Sequence, residues 1–259
     1  MTPTPTRVPH DHRAYGEVIV GLLPSFLLLL ALQPARAQQP TADQPAHPEL
    51  YTSGPPLPTT PIITFTFERV GLPVPNYTLS VGESTGRYLG TEVSRPTRNS
   101  QTAPAPQPFD RTFPISAQLF KKIVDLTHDL HNFNTTCASK LKNIADTGKK
   151  TLTYLGPQDP PPPQGSCTYN YADDKRVQTL TDIFEGLATT MDEGRRLDFM
   201  HRYDRLGLDA ELGSFTQEVA EGHAIELATI ARSLDSIKTD PELLQRARTR
   251  AAALLAQIQ

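Results

Sequence analysis

The chain has 259 residues, with 25 lysines and arginines against 28 acidic residues and a formal charge of −3 at pH 7. This balance is ordinary for a soluble surface and argues against nucleic acid or an anionic membrane as a partner. The chain has no tryptophan and only 7% aromatic residues. That composition weakens the case for carbohydrate stacking or for an aromatic binding pocket.

The first 37 residues have the features of a secretion signal. Arg7 and Arg13 supply a positive n-region, an apolar run follows over 18–32, and Ala35-Arg36-Ala37 places small residues where a signal peptidase cleaves. The run is short for a membrane span, which needs roughly 20 residues, and Pro24 interrupts it. The alternative is an uncleaved N-terminal anchor.

Cleavage after Ala37 would leave 222 residues, enough for one mid-sized domain or two small ones. Three basic and two acidic residues fall in the removed segment, so the remainder carries a formal charge of −4. We expect a secreted or periplasmic protein with no membrane span after cleavage.

The chain has two cysteines, Cys137 and Cys167. In an exported protein an even number predicts one intramolecular disulfide rather than a redox or metal site. Two free buried thiols and an intermolecular bond are the alternatives. Closing a loop of this length stabilises a fold by roughly 3–4 kcal/mol in the chain-entropy model, so the bond is expected to be structural.

Three proline-rich stretches divide the chain. Residues 38–61 hold seven prolines and are predicted to be a disordered tether. Residues 94–114 hold five and are predicted to connect two regions, and residues 160–163 are all proline. No P-x-x-P motif is flanked by a convincing charged residue, which favours linkers over ligands of proline-binding modules.

Residues 62–93 alternate with period two, which predicts a small antiparallel β region. The side chains expected on its buried face are Ile63, Phe65, Phe67, Tyr77, Leu79 and Val81. A third candidate strand spans 88–93, and turns are expected at 71–73 and 82–86.

Residues 115–172 are predicted to combine one helix with a β unit. Ser116 is the expected N-cap of a helix whose apolar side carries Leu119, Phe120, Ile123, Leu126 and Leu130. Strands are predicted over 140–144, 151–155 and 167–171. Asp146-Thr147-Gly148 would join the first two as a hairpin, and the disulfide would fasten the third to the start of the unit.

Residues 173–259 are predicted to be helical. Apolar residues from Val177 to Met191 follow helical spacing, and the pattern can continue past Gly194 as far as Tyr203. Gly207 is the expected C′ residue and Asp209 the next N-cap. Helices over 212–219 and 225–237 follow, and residues 239–242 read as a capping box that starts a last helix. The sequence therefore predicts a single α+β domain over 62–259: a small antiparallel β region, a disulfide-stapled β unit and a helical C-terminal half.

Two catalytic signatures occur without the context that their chemistry needs. Residues 82–86 match G-x-S-x-G, but a strand rather than a helix follows, and too few residues precede Ser84 to build the sheet of such a hydrolase. Residues 146–148 match the Asp-Thr-Gly of aspartic proteases, which needs two copies and apolar surroundings. Both are better interpreted as turns.

A metal site is conceivable on the first helix. Asp125, His128 and His131 recur every three residues, and such a set can meet one zinc ion. Successive 100° steps spread them over a third of the helix circumference, however, and His201 or His223 could complete the set only through the fold. A solvated helix edge is favoured, and no cofactor is expected.

The densest charged stretch, 195–209, holds the best candidate binding site. An anionic or glycan ligand could be held by four side chains, His201, Arg202, Tyr203 and Arg205. The alternative, which we favour, is an ion-paired helix terminus where cations complement the helix dipole. Asp198 precedes Arg202 by four residues, the orientation that favours a helical ion pair.

Several segments resemble exported bacterial proteins of unassigned function, of the kind found in acidobacteria. The segments are Phe65-Thr-Phe-Glu-Arg with Tyr77-Thr-Leu-Ser-Val, Asn143-Ile-Ala-Asp-Thr-Gly-Lys-Lys-Thr-Leu, and His201-Arg-Tyr-Asp-Arg-Leu-Gly-Leu-Asp. The resemblance spans the chain from residue 61 and implies export but no activity.

Because each catalytic motif fails on context, the sequence favours a non-enzymatic, exported interaction protein whose partner is a protein or glycan of the cell envelope. The alternative is a secreted hydrolase or metal-dependent enzyme whose site assembles only in the fold. A cleft that brings His128 or His131 near His201 or His223 would favour the enzyme. A groove without convergent titratable groups would favour binding.

Overall fold

The computed structural model of the chain describes residues 59–94, 105–157 and 164–258. The predicted signal, nearly all of the tether and the run at 160–163 lie outside these residues. The strands are β1 (Ile62–Glu68), β2 (Asn76–Val81), β3 (Thr85–Glu92), β4 (Gln107–Pro114), β5 (Lys149–Leu155) and β6 (Gln164–Tyr169). The helices are α1 (Ala117–Asp129), α2 (Lys175–Tyr203), α3 (Leu208–Ala220), α4 (Ala231–Thr239) and α5 (Gln245–Leu255), with 3-10 turns at His131–Phe133 and Leu227–Ile230.

The six strands form one antiparallel sheet in the order β4-β3-β2-β1-β5-β6. The predicted period-two residues of β1 and β2 are buried on one face, which confirms that interpretation. The opposite face is polar, and hydrogen bonds between side-chain hydroxyls connect neighbouring strands there. Examples are Thr64–Ser80 and Thr151–Thr168, each with an oxygen–oxygen distance of 3.0 Å. The core therefore lies on one side of the sheet, as alternating polarity requires.

The proline-rich connection predicted over 94–114 contains strand β4, which the sequence analysis misses. Its prolines are tolerated because β4 is an edge strand, where a missing N–H need not cost a ladder bond. Pairing along the whole of β3, from Thr85–Pro114 to Glu92–Gln107, holds it in place. A bidentate Arg87–Asp110 pair, at 2.9 and 2.6 Å, ties the two strands on the exposed face.

The strand predicted over 140–144 is absent, so the predicted hairpin at 146–148 is wrong. Both edges of β5 are occupied, by β1 and by β6, and Leu141 is exposed instead of packing on a face. Asp146 Oδ1 accepts a hydrogen bond from Gly148 N at 2.9 Å. The Asp-Thr-Gly segment is thus a local turn that leads into β5.

The predicted disulfide between Cys137 and Cys167 is present. It joins β6 to the segment after α1, which begins with three consecutive left-handed residues, His131, Asn132 and Phe133. The turn lies so close to β6 that a Cβ on Gly165 would stand 1.7 Å from the carbonyl oxygen of Asn132. Only glycine fits at this position.

Helices α1 and α2 cover the apolar face of the sheet. The predicted N-cap of α1 is confirmed, since Ser116 Oγ accepts from Leu119 N at 3.2 Å. The predicted continuation through Gly194 is also confirmed, and α2 is one helix of 29 residues capped by Asp174. The stacked rings of Phe65 and Phe184, 5.2 Å apart, place the middle of α2 over β1.

The end of α2 packs with α3, α4 and α5 around a second apolar cluster that contains Leu197, Leu212 and Leu234. Gly207 is the N-cap of α3, with a φ of −72°, and Asp209 lies inside that helix, so the predicted stop and restart are each two residues out of place. Asp209 is buried and pairs with Arg250 at 3.1 Å instead of capping. The predicted capping box is also wrong, since α5 begins at Gln245.

The described residues thus form an α+β fold, as predicted, with the sheet and α1 on one side of α2 and the C-terminal helices around its end. Within them, no helix is both long and apolar enough to cross a membrane.

Candidate functional site

The four side chains of the binding site predicted at 201–205 form two groups, one that is bonded within the protein and one that is exposed. His201 Nε2 lies 2.8 Å from Asp240 Oδ2, and Arg205 Nη1 lies 2.5 Å from Glu242 Oε2. The hydrogen bond from His201 lowers the pKa of Asp240, helped by the backbone N–H of Glu242. These two side chains tie the end of α2 to the loop before α5.

Arg202 and Tyr203 are exposed and take no part in that network. Among the described residues Arg202 makes no ion pair with Asp198 or Asp204, and Tyr203 is 72% exposed. The Tyr203 ring lies 5.0 Å from that of Phe199, which is itself 59% exposed. The structure therefore does not bring the four predicted side chains together in one concavity.

The weak metal candidates are likewise apart. Asp125 is bound by Lys121 at 2.5 Å, and the exposed His128 ring lies 6.2 Å from that of Tyr154. His223 faces Glu218 at 3.2 Å. In the part of the chain that the structure describes, no group of three or more His, Cys, Asp or Glu side chains could hold a metal ion.

The G-x-S-x-G segment is the hairpin turn between β2 and β3, as expected, with Gly82 N donating to Thr85 O at 2.9 Å. No helix follows Ser84, so the geometry of a nucleophile elbow is absent at this segment.

A groove of about 1100 Å³ lies instead between the sheet and α2. The register of the strands determines which residues form its floor. Four adjacent strands each contribute one cross-strand neighbour that faces α2: Tyr77, Phe67, Lys150 and Tyr169. Phe109 and Gly90 continue the same register onto β4 and β3 but lie outside the groove lining. At roughly 4.8 Å between strands, six strands span about 24 Å.

One wall of the groove is a stripe along α2. The lining residues follow the three- and four-residue spacing of one helix face: Gln178, Thr181, Asp182, Glu185, Ala188, Thr189, Asp192, Glu193, Arg195, Arg196 and Phe199. At about 1.5 Å per residue this stripe is about 30 Å long. The helix thus crosses the strands, and the groove follows it.

The opposite rim comes from the loop between β1 and β2, where Leu72 and Val74 line the groove beside Arg69. Two aromatic residues also border the groove, Tyr171 near the start of α2 and Phe199 near its end. Leu72, Tyr171 and Phe199 are 37%, 40% and 59% exposed. Exposed apolar side chains gathered around a concave surface are typical of a binding site.

Lys150 is the buried cation of the floor, only 5% exposed. Its ammonium donates to Thr147 O and Oγ1, each at 3.1 Å, and to Asn170 O at 3.2 Å. Glu185 Oε1 is 3.8 Å away, which is an ion pair but not a hydrogen bond. Burial lowers the pKa of Lys150 and raises that of Glu185.

An ionic cluster closes the end of the groove near β3 and β4. Asp192 Oδ1 accepts from Tyr88 Oη at 3.0 Å and from Arg195 Nη1 at 2.6 Å. Arg195 also binds Glu92 and lies 3.9 Å from the centre of the Phe109 ring. Burial raises the pKa of Asp192 to about 6, against the opposing effect of Arg195.

The carboxyl groups of Glu193 and Glu211 lie close together where α2 meets α3. Glu193 lines the groove, and its Oε1 is buried without a hydrogen-bond partner among the described residues. Burial and the neighbouring Glu211 raise the pKa of Glu193 to about 8. Arg196 pairs with Glu211 at 3.0 Å. With a pKa of about 8, Glu193 is mostly protonated at neutral pH.

Some polar groups of the groove have no hydrogen bond to any described residue. Tyr77 is 9% exposed, yet its hydroxyl has no such partner. Burial, then the charges of Glu185 and Asp192, raise its pKa. Asp182, exposed one turn before Glu185, has no ion partner among the described residues.

Sequence reasoning missed this groove. A signal was present at Lys150, which falls in period with Leu152 and Tyr154 and so occupies an inward-facing position. The polar stripe on α2 was indistinguishable from a solvated helix face. No protein-family model matches the chain, and no curated protein matches its sequence.

Proposed function

We propose that the chain is an exported binding protein that holds a polypeptide in extended conformation in the groove along α2. The observation that carries the proposal is the shape of the groove, a channel of about 1100 Å³ that follows one helix across the sheet. At roughly 3.4 Å per residue, the stripe of about 30 Å along α2 accommodates about nine extended residues.

The lining favours a polypeptide over a glycan. Glycan sites use the flat faces of exposed aromatic rings. Here the exposed rings, Tyr171 and Phe199, stand at the rim, whereas Phe67, Tyr77 and Tyr169 in the floor are only 4–9% exposed. The rim offers aliphatic contacts at Leu72 and Val74. Apolar side chains with a few polar groups suit alternate side chains of an extended peptide.

The test is fluorescence anisotropy with a labelled, unstructured peptide of about eight residues that alternates leucine and serine, a length that fills the groove. Phe199→Ser removes an aromatic ring from the rim and is expected to weaken binding about tenfold. Leu206→Ser is the matched control, since Leu206 is 84% exposed and lies outside the groove. No anisotropy change with the wild-type protein, or equal binding by the Phe199 variant, would overturn the proposal.

Export rests on the sequence of residues 1–37 and is supported by the disulfide, which is typical of oxidising compartments. The intact mass of the protein recovered outside the cytoplasm is expected to correspond to a chain that begins at Gln38. A recovered chain that retains residues 1–37 would favour the uncleaved anchor.

A hydrolase is the second candidate, because two groove carboxyls, Asp192 and Glu193, have pKa values raised to about 6 and about 8. Such groups can act as general acids near neutral pH. Mass spectrometry of the same peptide after incubation decides between the two. We expect intact peptide, whereas cleavage that Asp192→Asn abolishes would make the protein an enzyme.

A further inference from the structure

We infer that the groove selects polypeptides with a basic side chain, whose ammonium or guanidinium group is held by Glu185 and the hydroxyl of Tyr77. The inference rests on the proposed function and names the ligand chemistry of the same groove.

Glu185 has unused hydrogen-bonding capacity. Its side chain is 43% exposed, and among the described residues it accepts no hydrogen bond. Lys150 cannot supply one, because its three protons are taken up by Thr147 and Asn170 and its Nζ stays 3.8 Å away. A half-buried carboxylate gains most from a donor that also carries positive charge.

Tyr77 provides the second, independent observation. Nine-tenths of this residue is buried, it lines the groove, and its hydroxyl has no partner among the described residues. A hydroxyl that borders the groove and has no protein partner is available for a hydrogen bond with a ligand or water. Because the hydroxyl belongs to a residue that lines the same groove as Glu185, it can accept a hydrogen bond from the same cation.

The remaining charges around this position leave a cation as the suitable ligand. Asp182, one turn along α2, adds a free carboxylate. The cations nearby are engaged: Arg195 by Asp192 and Glu92, and Arg196 by Glu211. Arg69 is exposed on the opposite rim and has no ion partner among the described residues. An anionic group entering the groove beside α2 would therefore face the carboxylate of Asp182, which has no ion partner among the described residues, and that of Glu185, whose ion partner Lys150 stays 3.8 Å away.

The experiment compares two labelled peptides of about eight alternating leucine and serine residues, with lysine or norleucine at the centre. Norleucine keeps the length of the lysine stem and removes the charge. We expect the lysine peptide to bind wild-type protein about tenfold more tightly. In Glu185→Gln the two peptides are expected to bind alike, and Tyr77→Phe should weaken only the lysine peptide, about threefold.

Glu83→Gln is the matched control, because Glu83 is an exposed turn residue far from the groove lining and the substitution changes the net charge equally. Preference for lysine that survives Glu185→Gln, or that Glu83→Gln abolishes as well, overturns the inference while leaving groove binding intact. Equal wild-type affinity for the two peptides does the same. Failure of both peptides to bind overturns the proposed function together with the inference. Thermal unfolding checks that each variant folds. If Glu185→Gln does not fold, Tyr77→Phe tests the site on its own.

Discussion

Arg195 holds the end of the groove closed, and its replacement by glutamine tests that role. The guanidinium binds Asp192 at 2.6 Å, binds Glu92, and stacks on Phe109 at 3.9 Å, while only 15% of the side chain is exposed. Arg195→Gln leaves Asp192 with one hydrogen bond, from Tyr88. Removing one partner of a buried ion pair costs about 3–5 kcal/mol.

The expected cost is at or below the low end of that range. The Asp192 side chain is 37% exposed, so solvent screens part of its charge, and we expect a loss of about 2 kcal/mol at pH 8. Burial already raises the pKa of Asp192 to about 6, and loss of Arg195 raises it further. Because the folded-state pKa lies above the unfolded value, protonation at low pH restores stability that is lost as pH rises. The difference between variant and wild type should therefore be smaller at pH 5 than at pH 8.

Urea unfolding at the two pH values measures both effects. Adding Asp192→Asn to Arg195→Gln removes the unpaired charge and is expected to recover about 1 kcal/mol at pH 8. Arg202→Gln is the control, because Arg202 is an exposed arginine of the same helix without an ion pair among the described residues. Equal destabilisation by Arg195→Gln at both pH values, with no recovery in the double variant, would refute the reasoning.

Two further changes test the packing of the sheet and the pH response of the groove. Gly165→Ala places a Cβ 1.7 Å from the carbonyl oxygen of Asn132, so we expect Tm to fall by about 5–10 °C. Gly82→Ala is the control and should leave Tm unchanged, because its Cβ would lie 3.6 Å from the nearest atom. A similar Tm for both variants would contradict the predicted clash. Glu193 has a pKa raised to about 8 beside Glu211, so wild-type stability should fall as pH rises towards 8. Glu193→Gln should be more stable than wild type by about 1–2 kcal/mol at pH 9 and similar at pH 5, and an equally steep fall in the variant's urea midpoint would refute this.

The sequence predicted correctly those features that are specified within a single strand or helix, or by the cysteine count. Period-two alternation placed Phe65 and Leu79 on the buried face, and Ser116 capped α1 as expected. The even cysteine count predicted the Cys137–Cys167 bond. Each of these features is specified within one element or by simple chemistry, so tertiary context did not need to be known.

Errors arose where pairing depends on the rest of the sheet. Residues 140–144 have the composition of a strand, but both neighbours of β5 are already strands, so the predicted pairing with β5 has no open edge. Residues 107–114 look like a linker because of their prolines, yet an exposed edge beside β3 accepts them. Strand formation at these positions is decided by which edges are free, and a single sequence does not give that.

The groove was hidden from the sequence for a related reason. The acids on α2, among them Asp182, Glu185 and Asp192, recur with helical spacing and so resemble a solvated helix face. They become a wall only because Tyr77, Phe67 and Lys150 fall into one row through strand register. Register couples residues from distant parts of the chain, and in this row it places a lysine among aromatic side chains.

The same row explains why α2 carries polar residues where it crosses β5 and β2: Lys150 needs a counter-charge, and Tyr77 leaves a hydroxyl in the groove. A helix packed only to close the core would have been apolar along that stripe, so its polarity is the feature that the peptide experiments must account for.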